Sequence, residues 1–366
     1  MIKKNFAGNI ILPITVAALL FGLPLPVLIL SGRPVERYLE FPPITDYARH
    51  AGFSWTAFAI FTVIILIFVL PIIIYFIKYL AASRMEHQPS PGCRLPWWGK
   101  LGIFAMLLFW IIAWGQFEIF GKIGRHTFFP LWLSFIAVVN SLQYARTGAC
   151  LMTDQTRKFI LLFPASSVFW WYFEYINGFT QNWYYVGADY SPMVFFVLST
   201  IAFSTVLPAV SSINSLLLSF PCISKGFSGI IKVNFSGSMI PALMILVISC
   251  SALLLIGTYP DYLFPFVWVS PFLIIVSLQA FLSEKHIFSD AADGVWAGVV
   301  SAALAALVCG LFWEMWNFYS LPKWQYSVPL VHRFLIFEMP VLGFSGYLPF
   351  GLLCVSVSRM IGIRFE

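Results

Sequence analysis

The 366-residue sequence predicts an all-α protein: a polytopic transmembrane helical bundle of about ten spans, in which an N-terminal helix pair precedes two tandem, same-orientation four-helix repeats. Three observations predict it. Hydrophobic residues make up 60% of the chain and charged residues 10%, against about 45–50% and about 25% in soluble domains. Apolar runs of about 20 residues, long enough to cross a hydrocarbon core, recur along the chain. An ordered set of polar and aromatic residues also appears twice. With a mean hydropathy of +0.88, the composition excludes a soluble enzyme, a disordered chain and a nucleic-acid-binding domain.

The first apolar run, Ile10 to Leu30, follows Met1-Ile-Lys-Lys as a signal peptide would. It is span-length, and no A-x-A-like cleavage site follows it, so it reads as a retained first span. The ten candidate spans lie near 9–31, 54–81, 99–119, 127–147, 159–179, 192–215, 238–258, 262–282, 294–319 and 333–358. Pro71, Pro271, Pro340 and Pro349 fall inside spans, where neighbouring helices satisfy freed carbonyls. The units are 1–98, an extension with the longest outer loop; 99–237, the first repeat; and 238–366, the second. That outer loop, Arg33 to Ser54, mixes charges of both signs and is expected to cap part of the bundle.

Placing the N-terminus inside puts Lys3, Lys4, Lys78, Arg84, Arg94, Lys100, Arg146, Arg157, Lys158, Lys225, Lys232, Lys285, Arg359 and Arg364 on the cytoplasmic side. Arg33, Arg37, Arg49, Lys122, Arg125, Lys323 and Arg333 lie on the outer side. This two-to-one bias favours both termini inside, in a bacterial cytoplasmic membrane. The six cysteines, Cys93 among them, show no CxxC spacing, so neither a disulfide framework nor a zinc site is expected.

The repeat is the most specific signal. Trp132-Leu-Ser134 and Ser141-Leu-Gln143 return as Trp268-Val-Ser270 and Ser277-Leu-Gln279. Glu174-x-x-Asn177, Trp183-x-Tyr185, Phe196, Phe203 and Leu207-Pro208 return as Glu314-x-x-Asn317, Trp324-x-Tyr326, Phe337, Phe344 and Leu348-Pro349. The offset drifts from 136 to 141. Four spans per copy return the chain to its starting side, so the copies share one orientation about an axis along the membrane normal.

Four carboxylates fall in or at the ends of spans: Glu118, Glu174, Glu314 and Glu338. An ionisable group there is costly and points to function. All four lie in the outer layer, as do Arg125-His126 and His332-Arg333. Glu314 and Asn317 share a helix face, and Glu338, one to two turns into the last helix, is expected to face Glu314. Two such carboxylates in an apolar wall would not both ionise, which leaves one as a general acid. The candidate catalytic residues are therefore Glu314, Glu338, Asn317 and His332. Candidate substrate-binding residues are Arg333, Trp324, Tyr326, Trp313, Glu174, Asn177, Trp183 and Tyr185. Because Val197 stands where Glu338 would fall in the first copy, one half is expected to be active and the other structural. The aromatic residues also fit an interfacial belt, the Glu–Asn pairs fit interhelical hydrogen bonding, and Arg333 fits a snorkelling or ion-paired side chain.

Weaker signals have plainer readings. Asp290-x-x-Asp293 is expected to cap the next helix. Gly294-x-x-x-Gly298 with Ala302, Ala303, Ala305 and Ala306 predicts close helix packing. The outer histidines show no metal-ligand spacing, and there is no nucleotide fingerprint, so neither metal nor cofactor is expected.

Asn317, Trp324, Tyr326 and Glu338-Met-Pro340, over about 30 residues, resemble the membrane-embedded lycopene cyclase domain of carotenoid synthesis. In that family a polar residue ends one helix, an aromatic W-x-Y/F stretch follows, and a Pro–Glu element opens the next; here a single Glu precedes Pro. The resemblance implies a protonating carboxylate acting on an isoprenoid in the bilayer. The leading expectation is an integral membrane enzyme whose partner is a lipid or isoprenoid. A transporter and a non-catalytic membrane assembly subunit are the alternatives.

Overall fold

In the computed structural model residues 8–43, 47–82, 94–115, 117, 121–234 and 239–365 are described, with backbone alone at 8–10, 82 and 122–123. Lys3, Lys4, Arg84, Cys93 and Glu118 lie outside the described residues.

The principal helices are α1 (Gly8–Gly22), α2 (Trp55–Ala82), α3 (Trp97–Gly115), α4 (Phe128–Thr147), α5 (Thr156–Thr180), α6 (Pro192–Phe203), α7 (Val206–Leu218), α8 (Met239–Leu255), α9 (Phe266–Phe281), α10 (Ala297–Phe318) and α11 (Tyr347–Met360). Among the described residues eight helical stretches are long and apolar enough to cross a membrane. Helices α8 and α9 are shorter, at 17 and 16 residues. The architecture is that of an all-α membrane bundle.

Local chemistry sets the ends and bends. Gly148, at φ 76°, closes α4 in the left-handed region. Helices α6 and α7 form one 27-residue apolar stretch broken at Ser204–Thr205. Pro208 has no N–H to continue the ladder there. Ser166 on α5 fills the gap: its hydroxyl donates to the Phe203 carbonyl (2.6 Å) and accepts from the Leu207 N–H (3.0 Å), replacing one helical bond.

Helix α3 packs on α4, and α8 on α9, while α7, α10 and α11 meet in the centre. The small-residue face of α10 serves close packing, as its sequence predicts. A Cβ at Gly351 of α11 would lie 2.0 Å from the Ala302 carbonyl oxygen and 2.9 Å from the Ala306 Cβ. Gly351→Ala is therefore expected to wedge α10 from α11 and cost about 2–3 kcal/mol. Unfolding in mixed detergent would register the loss, and a wild-type midpoint would refute the close-packing account. Asp290, by contrast, caps no helix. It lies in a 3-10 turn (Ser289–Asp293) and pairs with Lys285 at 2.8 Å, while α10 begins after Trp296 without a side-chain cap.

Two features frame the end of the bundle where β1 and β2 lie. Residues 33–43 and 47–54 cap part of it: Tyr38 stacks on Phe179 (5.2 Å), Ser327 donates to the Ala48 carbonyl (2.6 Å), and His50 bonds Asp261 (2.6 Å). Helix α2, apolar on every face, touches the bundle mainly near its ends. Phe58 meets Phe334 at 5.7 Å at the outer end, and Phe76 stacks on Phe227 at 5.1 Å at the inner end. An apolar helix with so little protein contact is one solvated by lipid.

The last span is shorter than 333–358. Residues Leu335–Ile336 (β3) and Met339–Pro340 (β4) form a hairpin with Phe337 and Glu338 at its tip, and the α-helix begins only at Tyr347. Phe334 and Phe337 adopt φ of +55° and +56°, which no right-handed helix accommodates.

Candidate functional site

The site grows from the C-terminal ends of α5 and α10. Each of these helices carries Glu and Asn three residues apart near its C-terminal end, followed by a short strand: β1 (Trp183–Val186) after α5 and β2 (Lys323–Tyr326) after α10. Each Asn ties the following strand to its helix in the same way. The Asn177 Nδ2 donates to the Trp183 carbonyl (2.8 Å), and its Oδ1 accepts from the N–H groups of Asn182 (2.8 Å) and Trp183 (3.3 Å). The Asn317 Nδ2 donates to the Trp324 carbonyl (2.7 Å), and its Oδ1 accepts from the Trp324 N–H (2.9 Å). Neither Asn bonds its neighbouring glutamate. Asn317, expected to orient Glu314, instead orients the strand that delivers Tyr326.

The strands pair antiparallel, with Trp183 opposite Tyr326 and Tyr185 opposite Trp324. Tyr184 and Gln325 face each other, and Tyr184 Oη donates to Gln325 Oε1 at 2.8 Å. At the offset that carries Trp183-x-Tyr185 onto Trp324-x-Tyr326, these two are equivalent residues.

Beneath the ribbon lie the glutamates, Glu174 at 2% and Glu314 at 0% exposure. Glu174 Oε1 accepts from Tyr185 Oη (2.6 Å), Trp170 Nε1 (3.0 Å) and Trp183 Nε1 (3.2 Å). Glu314 Oε1 accepts from Tyr326 Oη (2.6 Å) and Tyr347 Oη (2.8 Å), and Trp324 Nε1 donates to Tyr326 Oη (2.9 Å). Burial and the adjacent Glu314 carboxyl hold the Tyr326 hydroxyl well above its usual pKa, and burial and Glu174 do the same to Tyr185. Both phenols therefore stay protonated and donate. The second oxygen, Oε2, of each glutamate is buried without any hydrogen-bond partner. Such an orphan is costly and is found at sites awaiting a ligand, a proton transfer or a water.

The two glutamates reach this state with different side chains. Trp170, four residues before Glu174, donates to it, whereas Gly310 stands four residues before Glu314. A Cβ at Gly310 would lie 2.4 Å from the Tyr347 ring, so the glycine makes room for the tyrosine that donates to Glu314 in place of an indole. At the sequence offset of 141, Val206 falls at the position of Tyr347.

A cavity of about 1930 Å³ runs past both sites. Trp170, Trp183 and Tyr185 line it beside Glu174, and Trp313, Trp324, Tyr326 and Tyr347 beside Glu314. Its far wall is α2, from Phe61 to Phe76, so the cavity is the gap between α2 and the bundle. Trp313 also packs on Trp132 (4.9 Å), tying the second site to α4 of the first half.

Three expected residues stand elsewhere. Glu338 is not in a helix facing Glu314; at the hairpin tip it forms an ion pair with Lys323. Among the described residues Arg333 pairs with no carboxylate, and its guanidinium lies 5.0–5.4 Å from the rings of Phe53, Trp55 and Phe334, where it secures the N-terminal end of α2. His332 is exposed, and its Nδ1 accepts from the Val328 N–H at 3.4 Å. Tyr347, which the sequence reading did not single out, belongs to the site. Its only sequence cue is its position one residue before the duplicated Leu348-Pro349.

Comparison of the chain with protein-family models, with curated proteins and with solved structures found no match.

Proposed function

We propose that this is an integral membrane protein that admits a lipid or isoprenoid sideways from the bilayer and acts on it with the Glu314 carboxyl as proton donor or acceptor. One observation carries the reading. A fully buried glutamate has one oxygen fixed by two tyrosines that line an apolar cavity, and its other oxygen unpartnered. The tyrosines hold the carboxyl in one orientation, as a general acid or base requires. The matching bonds of Asn177 and Asn317 and the central Tyr184–Gln325 pair support two tandem halves of one orientation, about an axis normal to the ribbon. The loop charge bias supports cytoplasmic termini and a bacterial cytoplasmic membrane. Proton donation to an isoprenoid, the chemistry the resemblance to lycopene cyclase domains implies, is one reaction such a site could run.

A transporter is the second reading, favoured by a buried polar seam toward the inner face. There Asn140 Nδ2 donates to Ser212 Oγ (2.8 Å), and Gln143 Nε2 to Ser215 Oγ (2.7 Å). Those partners belong to α4 and α7 and do not line the cavity, which is why the enzyme reading is preferred. A purely structural subunit would pair both glutamates fully and enclose no cavity.

The test is lipid profiling of a deletion strain. Glu314→Gln, which keeps the shape, is expected to lower conversion about a hundredfold or more and fail to restore the wild-type profile. Glu338→Gln, at an ion pair on the hairpin, restores it. Full restoration by Glu314→Gln would remove the catalytic reading.

A further inference from the structure

We propose that the occupant of the cavity is a lipid with a phosphate head and one tail longer than a membrane leaflet, in class a polyprenyl phosphate, its head held by Arg125 and His126. The proposal rests on the lateral-lipid reading above and gives it a substrate class.

The charge of the lining points to the head. Arg125, His126, Lys323 and His286 line the cavity, and no Asp or Glu does so among the described residues. Lys323 is neutralised by Glu338. Arg125 has no ion-pair partner among the described residues; Tyr190, within electrostatic reach of it, also senses Asp189, but Asp189 does not line the cavity. Among the described residues, the cation that lines the cavity without an ion-pair partner is thus a guanidinium, the group whose planar fork matches phosphate oxygens. It stands just before α4, a 20-residue helix whose positive end opens on the same wall through Thr127 and Phe128. Phe128 packs on Trp324 at 6.0 Å, and Trp324 bonds Tyr326, which holds Glu314. A head at Arg125 therefore sits at the ribbon and leads the first part of the tail past the carboxyl.

The depth of the cavity points to the tail. Its wall on α2 runs from Phe61 to Phe76, about 22 Å at helical rise. Its wall on α10 runs from Trp296 to Asn317, nearly the whole helix. One leaflet offers about 15 Å of a hydrocarbon core about 30 Å thick. Chains that end at the midplane would leave the inner half of this apolar slot unfilled. Its volume of about 1930 Å³ is about twice the upper end of ordinary small-molecule sites.

Binding to the purified full-length protein in phosphatidylcholine nanodiscs decides the matter, with three probes: a long-chain polyprenyl phosphate, the free polyprenol, and phosphatidic acid with leaflet-length chains. The polyprenyl phosphate is expected to bind at least about tenfold tighter than either of the others. Arg125→Ala should weaken polyprenyl phosphate about tenfold and leave polyprenol unchanged, while Arg125→Lys, which keeps the charge without the fork, recovers only part of the affinity. Polyprenol binding as well as its phosphate would overturn the head assignment, and equal binding of phosphatidic acid the tail assignment. Both comparisons use the wild-type chain, so a variant that fails to fold does not spare the proposal. Glu314→Gln should bind the phosphate as wild type does. If it does bind so and also restores the lipid profile, the acid–base reading fails and the ligand stands. If the profile depends on Glu314 but no head preference is found, the ligand assignment alone falls.

Discussion

Gly310→Trp is expected to destabilise the protein by about 3 kcal/mol, and adding Tyr347→Val to return most of that loss. Gly310 has no side chain because the Tyr347 ring occupies the space, 2.4 Å from where a Cβ would stand. Around Glu174 the solution is complementary: Trp170 donates to the carboxylate, and Val206 falls at the sequence position that corresponds to Tyr347. The double variant writes that solution into the second half, and the introduced indole can take over the bond Tyr347 gave to Glu314. A double-mutant cycle on unfolding in mixed detergent should give a favourable coupling of about 2 kcal/mol. Simple additivity would show that the two halves do not share one geometry around their glutamates. If the glutamate alone carries the chemistry, the double variant should also recover activity; if the Tyr347 hydroxyl takes part, stability returns without it.

The second large effect is on the ribbon. Asn317→Ala removes both bonds that hold the Trp324 backbone to α10 and should cost about 2–3 kcal/mol, since the freed N–H and carbonyl find no other buried partner. Asn177→Ala should cost a similar amount through Trp183. The double variant is expected to cost less than the sum of the two, because β1 and β2 pair with each other and either loss loosens both. Thermal unfolding followed by tryptophan fluorescence measures this, and strict additivity would show that the strands are held independently.

Hydropathy made the helices legible, since each apolar run has no other way to satisfy its backbone in lipid. The duplication made Glu174, Asn177, Glu314, Asn317 and the Trp-x-Tyr pairs legible, because chance does not easily preserve polar and aromatic residues in one order. What it could not reveal was how 331–340 folds. That stretch is apolar enough to pass for a helix start, and only the positive φ at Phe334 and Phe337 turns it into a hairpin. Glu338, His332 and Arg333 were therefore misplaced together. Tyr347 was hidden because a lone aromatic residue at a helix start carries no pattern. Arg125 and His126 were legible as members of the outer layer, but their place at the mouth depends on α2 standing off the bundle. The uniform apolarity of α2 hints at lipid around it without saying which gap it encloses.

A strand that pairs antiparallel with its own counterpart, centred on Tyr184 and Gln325, is a self-complementary edge. Such an edge is what a closed twofold dimer uses, each subunit presenting the same surface to the other. A shorter protein carrying only one such unit would have to find a second copy to cover its strand, and its assembly would vary with expression level. Under the proposed duplication, joining two units in one polypeptide replaces that encounter with a fixed local concentration and leaves each unit free to diverge.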